Sequence, residues 1–104
     1  MSERPPLPPM PSPELLDEFC PFGPVTGCPE IRVRRSEAVF TLWEAWEKEA
    51  GQRCPVPFWA VVWPAAQVLA RLLLNQPDLV RDREVIEIGC GGAVASIAAA
   101  KAGA

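Results

Sequence analysis

Nine of the 13 prolines in this chain of 104 residues stand before Ile31: Pro5, Pro6, Pro8, Pro9, Pro11, Pro13, Pro21, Pro24 and Pro29. Proline lacks a backbone N–H and turns the residue ahead of it away from helix. Residues 1–29 are therefore expected to form a Pro-rich, largely disordered leader, extended and solvated up to residue 13. The Pro5-Pro6-Leu7-Pro8-Pro9 run has the composition of a polyproline ligand, but no Arg or Lys stands at the spacing that gives such ligands a direction. Folding then falls to residues 30–104, enough for one small domain. A hydrophobic share of 49% against 22% charged is the balance of a globular chain.

Glu30-Ile31-Arg32-Val33-Arg34 alternates strictly and predicts a short, half-exposed strand. Ser36 can cap a helix from about Glu37 to Ala50, with Glu37 in the first turn and Gly51 as the stop. Val39, Phe40, Trp43, Ala45 and Trp46 would make its apolar side, with Glu44, Glu47 and Lys48 in water. Gln52–Pro57 reads as a loop, and Pro64 as the first residue of a helix reaching about Asn75 and ended by Pro77. Its buried stripe is expected at Val68, Leu69, Leu72 and Leu73. From Val56 to Ala70, 15 residues carry no charge. A membrane span needs about 20, and Pro64 and Arg71 interrupt this run, so a buried segment is expected and no membrane partner.

A net charge of −3 gives no electrostatic reason to bind nucleic acid or an anionic membrane. The absence of histidine removes His-based metal sites, Ser-His-Asp triads and Cys-His dyads. Cys20, Cys28, Cys54 and Cys90 contain no Cys-x-x-Cys spacing, so no metal site is expected. Met1–Cys20 lacks the apolar core of a secretory signal, which makes free thiols and a cytoplasmic location the expectation.

The last segment carries the chemistry. Glu84-Val85-Ile86-Glu87-Ile88 predicts a strand apolar enough to be buried on both faces. Gly89-Cys90-Gly91-Gly92 predicts a tight turn, and Ala93–Ala102 a small-residue helix stopped by Gly103. Strand, glycine turn and helix in this order form the first half of a Rossmann-type unit. Gly89 permits the sharp exit and Gly91 lets a ligand approach the backbone. The amides opening the helix suit a pyrophosphate or an amino-acid carboxylate. Glu87, just ahead of the turn, would repel a pyrophosphate and accept from a ligand amine or hydroxyl. That favours S-adenosylmethionine, whose methionine end carries an ammonium, over a dinucleotide. The same glycines would also serve a bare strand–helix turn in which only backbone shape matters.

The run Pro57-Phe58-Trp59-Ala60-Val61-Val62-Trp63-Pro64-Ala65-Ala66-Gln67-Val68-Leu69-Ala70-Arg71, then Val85-Ile86-Glu87-Ile88-Gly89-Cys90-Gly91 and Ala98–Ala104, resembles the seven-β-strand S-adenosylmethionine-dependent methyltransferases. Within them it is most similar to the protein-lysine methyltransferase branch, notably the electron-transfer-flavoprotein β-subunit lysine methyltransferases, over roughly Glu30 to Ala104. The resemblance implies an α/β fold made of N-terminal helices plus the first strand–helix unit of a Rossmann-like methyltransferase sheet. It implies S-adenosyl-L-methionine as cofactor, with Gly89, Cys90 and Gly91 lining its methionine part, Glu87 beneath it and Trp63 in contact with it. An aromatic face packs on a sulfonium or an adenine, while Trp63 can equally anchor a core at a helix start. Phe58 and Trp59 read as core. A protein substrate offering a lysine side chain is implied as well. Ala93 stands where the family carries its third glycine, which is expected to weaken cofactor binding.

Rossmann logic puts the ribose-binding acid at the end of a second strand, outside this sequence. Without further strands Val85–Ile88 lacks ladder partners, each unpaired buried group costing about 1–3 kcal/mol. Pairing with Glu30–Arg34 alone would be marginal. The expectation is an N-terminal fragment of a methyltransferase domain, inactive alone, with its catalytic residues beyond Ala104. The alternative is a non-catalytic helical module that binds a partner chain, or a second copy of itself, through Trp43, Trp46, Leu69 and Leu72. A dinucleotide-binding oxidoreductase fragment fits least, because of Glu87 and the Trp-bearing helix ahead of the strand.

Overall fold

The computed structural model describes residues 6–104, so residues 1–5 of the expected leader lie outside the described residues. Four helices, α1 (Pro13–Phe19), α2 (Val39–Ala50), α3 (Pro64–Asn75) and α4 (Val94–Lys101), accompany an antiparallel pair, β1 (Phe22–Val25) and β2 (Cys28–Arg34). Single 3-10 turns at Phe58–Ala60 and Pro77–Leu79 lead into and out of α3. The class is mixed α/β.

Residues 13–29 depart from the leader expectation. Ser12 caps α1, its Oγ accepting from the Leu15 amide at 3.2 Å, and Pro13 sits in the first turn, where a missing N–H is no loss. The hairpin follows, with Phe22 opposite Arg34 and Val25 opposite Cys28. Its turn needs Gly27, which takes φ +79°. Pro24 and Pro29 are tolerated inside strands because each strand of a two-stranded sheet keeps one free edge.

β2 contains the expected alternation and turns Ile31 and Val33 inward. They form the larger core with Ala70 and Leu73 of α3 and Ala98 and Ala99 of α4. Across the outside of this contact Arg71 holds both carboxylate oxygens of Glu30, at 3.1 and 2.9 Å. A smaller core joins Leu15 and Cys20 to Leu42 of α2 and Ala60.

Three expectations are corrected. Helix α2 starts at Val39 because Ser36 Oγ accepts from the Ala38 amide, ahead of the helix, and caps nothing; Gly51, in the left-handed region, ends it as read. Helix α3 has the expected bounds but a rotated inner face. Its close packing on the small residues of α4 turns Ala70 and Leu73 inward and leaves Val68, Leu69 and Leu72 exposed. The third concerns Glu84–Ile88, which forms no strand. A strand exists only with a ladder partner, and among the described residues the sheet holds β1 and β2 alone, with nothing paired to this segment. Ile86 is 89% exposed and Ile88 95%. Among the described residues no helix is long and apolar enough to cross a membrane.

Candidate functional site

The glycine turn joins the unpaired segment Glu84–Ile88 to α4. Gly89 has φ +68°, Gly91 +53°, and Ala93, the N-cap of α4, +63°. All three are left-handed, at ease for glycine and costing about 1–2 kcal/mol for alanine. The Cys90 carbonyl accepts from the Ala93 amide at 2.7 Å and closes the turn. A Cβ built on Gly89 or Gly91 would meet nothing within 4 Å, so the outer face is open to an approaching group. One on Gly92 would lie 3.1 Å from the Trp59 carbonyl, so the inner face rests on the Phe58–Ala60 turn. The Cys90 thiol is free and exposed.

Glu87 already has partners. Its Oε1 accepts from the Ser96 amide at 3.1 Å and from Ser96 Oγ at 2.6 Å. Ser96 is in the first turn of α4, where amides have no helical acceptor, and a carboxylate there also complements the helix dipole. Oε2 has no donor among the described residues and remains able to accept. At the other end of the segment, the Asp82 amide donates to the Gly103 carbonyl at 2.9 Å. Sequence reasoning missed Ser96, although it is the one polar side chain between Ala93 and Ala100.

Trp63 is the N-cap residue of α3 and is 48% exposed. Its Nε1 donates to the Phe58 carbonyl at 3.3 Å, and the two rings lie tilted with centroids 6.1 Å apart. Phe58 is thus a surface partner of Trp63 and not core. Trp59 is partly buried against the smaller core and packs edge-on against Trp46 at 6.3 Å. The glycine turn and the Trp63–Phe58 pair therefore flank the same short 3-10 turn. Surface hollows of about 380 to 640 Å³ are lined by other residues, one of them by Ser96 and residues 83–85.

Among known proteins, the chain is 40% identical over 76 residues to the electron transfer flavoprotein beta subunit lysine methyltransferase of Danio rerio. It is 38% identical to those of Rattus norvegicus and Homo sapiens over the same length. These stretches cover 73% of this chain but only 28–29% of the relatives, so the chain spans under a third of their length. No family model and no solved structure matches it. The branch that the sequence resembles is the one these relatives carry by name.

Proposed function

We propose that residues 30–104 are the N-terminal, cofactor-binding part of an S-adenosyl-L-methionine-dependent protein-lysine methyltransferase. The likeness of 38–40% to the curated relatives carries this reading. The open left-handed turn ahead of α4 supports it physically, since it leaves room for a ligand against Gly89 and Gly91. In this assignment Gly89, Cys90 and Gly91 border the methionine part of the cofactor. Glu87 keeps Oε1 on Ser96 and offers Oε2 to the ammonium. Trp63 offers an exposed ring face to the sulfonium or the adenine.

The cofactor, when bound, supplies an activated methyl group. The chain's own residues hold and orient, because in-line transfer to a neutral amine depends above all on alignment. The substrate in this proposal is a protein lysine side chain, the type named for the relatives. Glu84–Ile88 becomes the first strand of a Rossmann-like sheet once further strands pair with it, which accounts for Ile86 and Ile88 lying bare. Turnover is assigned to a longer chain of the relatives' size, and the 104 residues alone are expected to be inactive.

Calorimetric titration of S-adenosylmethionine into this chain, and into one extended downstream, tests the proposal. Saturable binding by the extended chain, abolished by Gly91→Arg, is expected. No heat from either would overturn it. The outward-facing Val68, Leu69 and Leu72 favour a second reading, a non-catalytic partner-binding module. Its surface would be the outer side of α3 and not α2, since Trp46 is buried.

A further inference from the structure

The groove between α1 and α2 is far from the glycine turn in sequence and plays no part in the proposed cofactor site. Helix α1 has 7 residues against 12 in α2, so it covers only part of the α2 face. What it leaves open is a trough of about 640 Å³, within the range of about 300–1,000 Å³ usual for ligand pockets. Leu15, Phe19 and Ala45 form its apolar floor. One end is pinned, because the Ser12 amide and Oγ both donate to Glu49, at 2.7 and 2.6 Å. The trough continues past Glu18, Phe19 and Thr41 into a second hollow of about 450 Å³ that reaches Pro21, Phe22 and Pro24 of the hairpin.

Its walls are predominantly acidic. Glu14 and Glu18 stand on α1, Glu44 and Glu49 on α2, against Lys48 as the one cation lining the first hollow. Bonds from Ser12 hold the Glu49 carboxyl below its ordinary range, so it stays ionised. Glu14, Glu18 and Glu44 make no ion pair among the described residues. In the second hollow the Arg35 charge is answered by Glu37 at 3.2 Å. Such walls repel phosphate backbones, anionic lipid and a second copy of this chain, itself at −3.

We infer that the α1–α2 trough docks an extended segment of another polypeptide that alternates lysine or arginine with apolar side chains. The apolar residues would cover Leu15, Phe19 and Ala45, and the cations would face Glu14, Glu18 and Glu44. The contact needs neither cofactor nor methyl transfer, so it stands or falls separately from the proposed activity.

Fluorescence anisotropy with the full chain tests it, using a labelled 12-residue peptide of alternating lysine and leucine and its glutamate-for-lysine counterpart. The basic peptide should bind saturably, weaken about tenfold between low and moderate salt, and weaken at least about tenfold in the Glu18→Lys, Glu44→Lys double variant. Glu18→Gln with Glu44→Gln should fall between, and circular dichroism reports whether each variant keeps its fold. Amide shifts on binding should centre on Leu15, Phe19 and Ala45. Equal binding of both peptides, unchanged affinity in the charge-reversed variant, or shifts centred on α3 would overturn the inference.

Discussion

Residues 30–34 and 84–88 are both pentapeptides beginning with glutamate, and they end in opposite states. Glu30-Ile31-Arg32-Val33-Arg34 is the more polar, yet it lies in a paired strand with Ile31 fully buried. Glu84-Val85-Ile86-Glu87-Ile88 has three β-branched residues, and it lies unpaired with two isoleucines in water. Intrinsic preference ranks them the wrong way round. What separates them is supply: a turn of two residues folds β1 back onto β2, and α3 and α4 cover the inner face.

Truncating one isoleucine in each stretch is the largest test of this contrast. Ile31→Ala is expected to cost about 2–5 kcal/mol in urea unfolding, and Ile88→Ala less than about 0.5 kcal/mol. Equal losses would show that the bare segment is packed. Gly27→Val comes next, expected to cost about 1–2 kcal/mol because valine must enter the left-handed region at φ +79°. Hydrogen exchange should then accelerate at Ile31 and Val33, while Ile86 and Ile88 exchange fast in both proteins. Ala93→Gly works in the other direction. Relief of the φ +63° conformation outweighs glycine's greater chain entropy, for a gain of about 0.5–1 kcal/mol, and a lower unfolding midpoint would contradict it.

The smallest effect concerns the ion pair that fastens β2 to α3. Hydrogen bonds from Arg71 hold the Glu30 carboxyl below its ordinary range. A group whose folded value is lowered contributes above its unfolded pKa, about 4.3 for glutamate. That contribution is lost as pH falls through the folded value. Glu30→Gln should therefore differ slightly from the wild type near neutral pH and converge with it in acid, as read from urea midpoints across the range. A gap that widens in acid would reverse the assignment.

Some helix boundaries were the most legible parts of this sequence. Pro64 opens α3 and Gly51 closes α2 as read, because each residue acts through its own backbone. Inner faces were less so. The stripe on α3 depends on which neighbour packs closest, and the alanines of α4 admitted Ala70 where Leu69 and Leu72 had been expected. The helix α1 was hidden by proline density, although Ser12-Pro13-Glu14 is itself a helix-start signature. At the candidate site, the turn glycines were readable from their need for positive φ. The partnership of Glu87 with Ser96 was not, since it joins residues nine apart across a turn whose path only the folded chain defines.

The moorings of the bare segment have a mechanical consequence. Asp82 is tied to the far end of α4 at Gly103, and Glu87 to its opening turn at Ser96, so the stretch is strung along the helix like a bowstring on its stave. Ordering a free residue costs about 1–2 kcal/mol, and here part of that loss precedes any encounter. An incoming strand would find a backbone already aimed, with its direction dictated by the helix behind it.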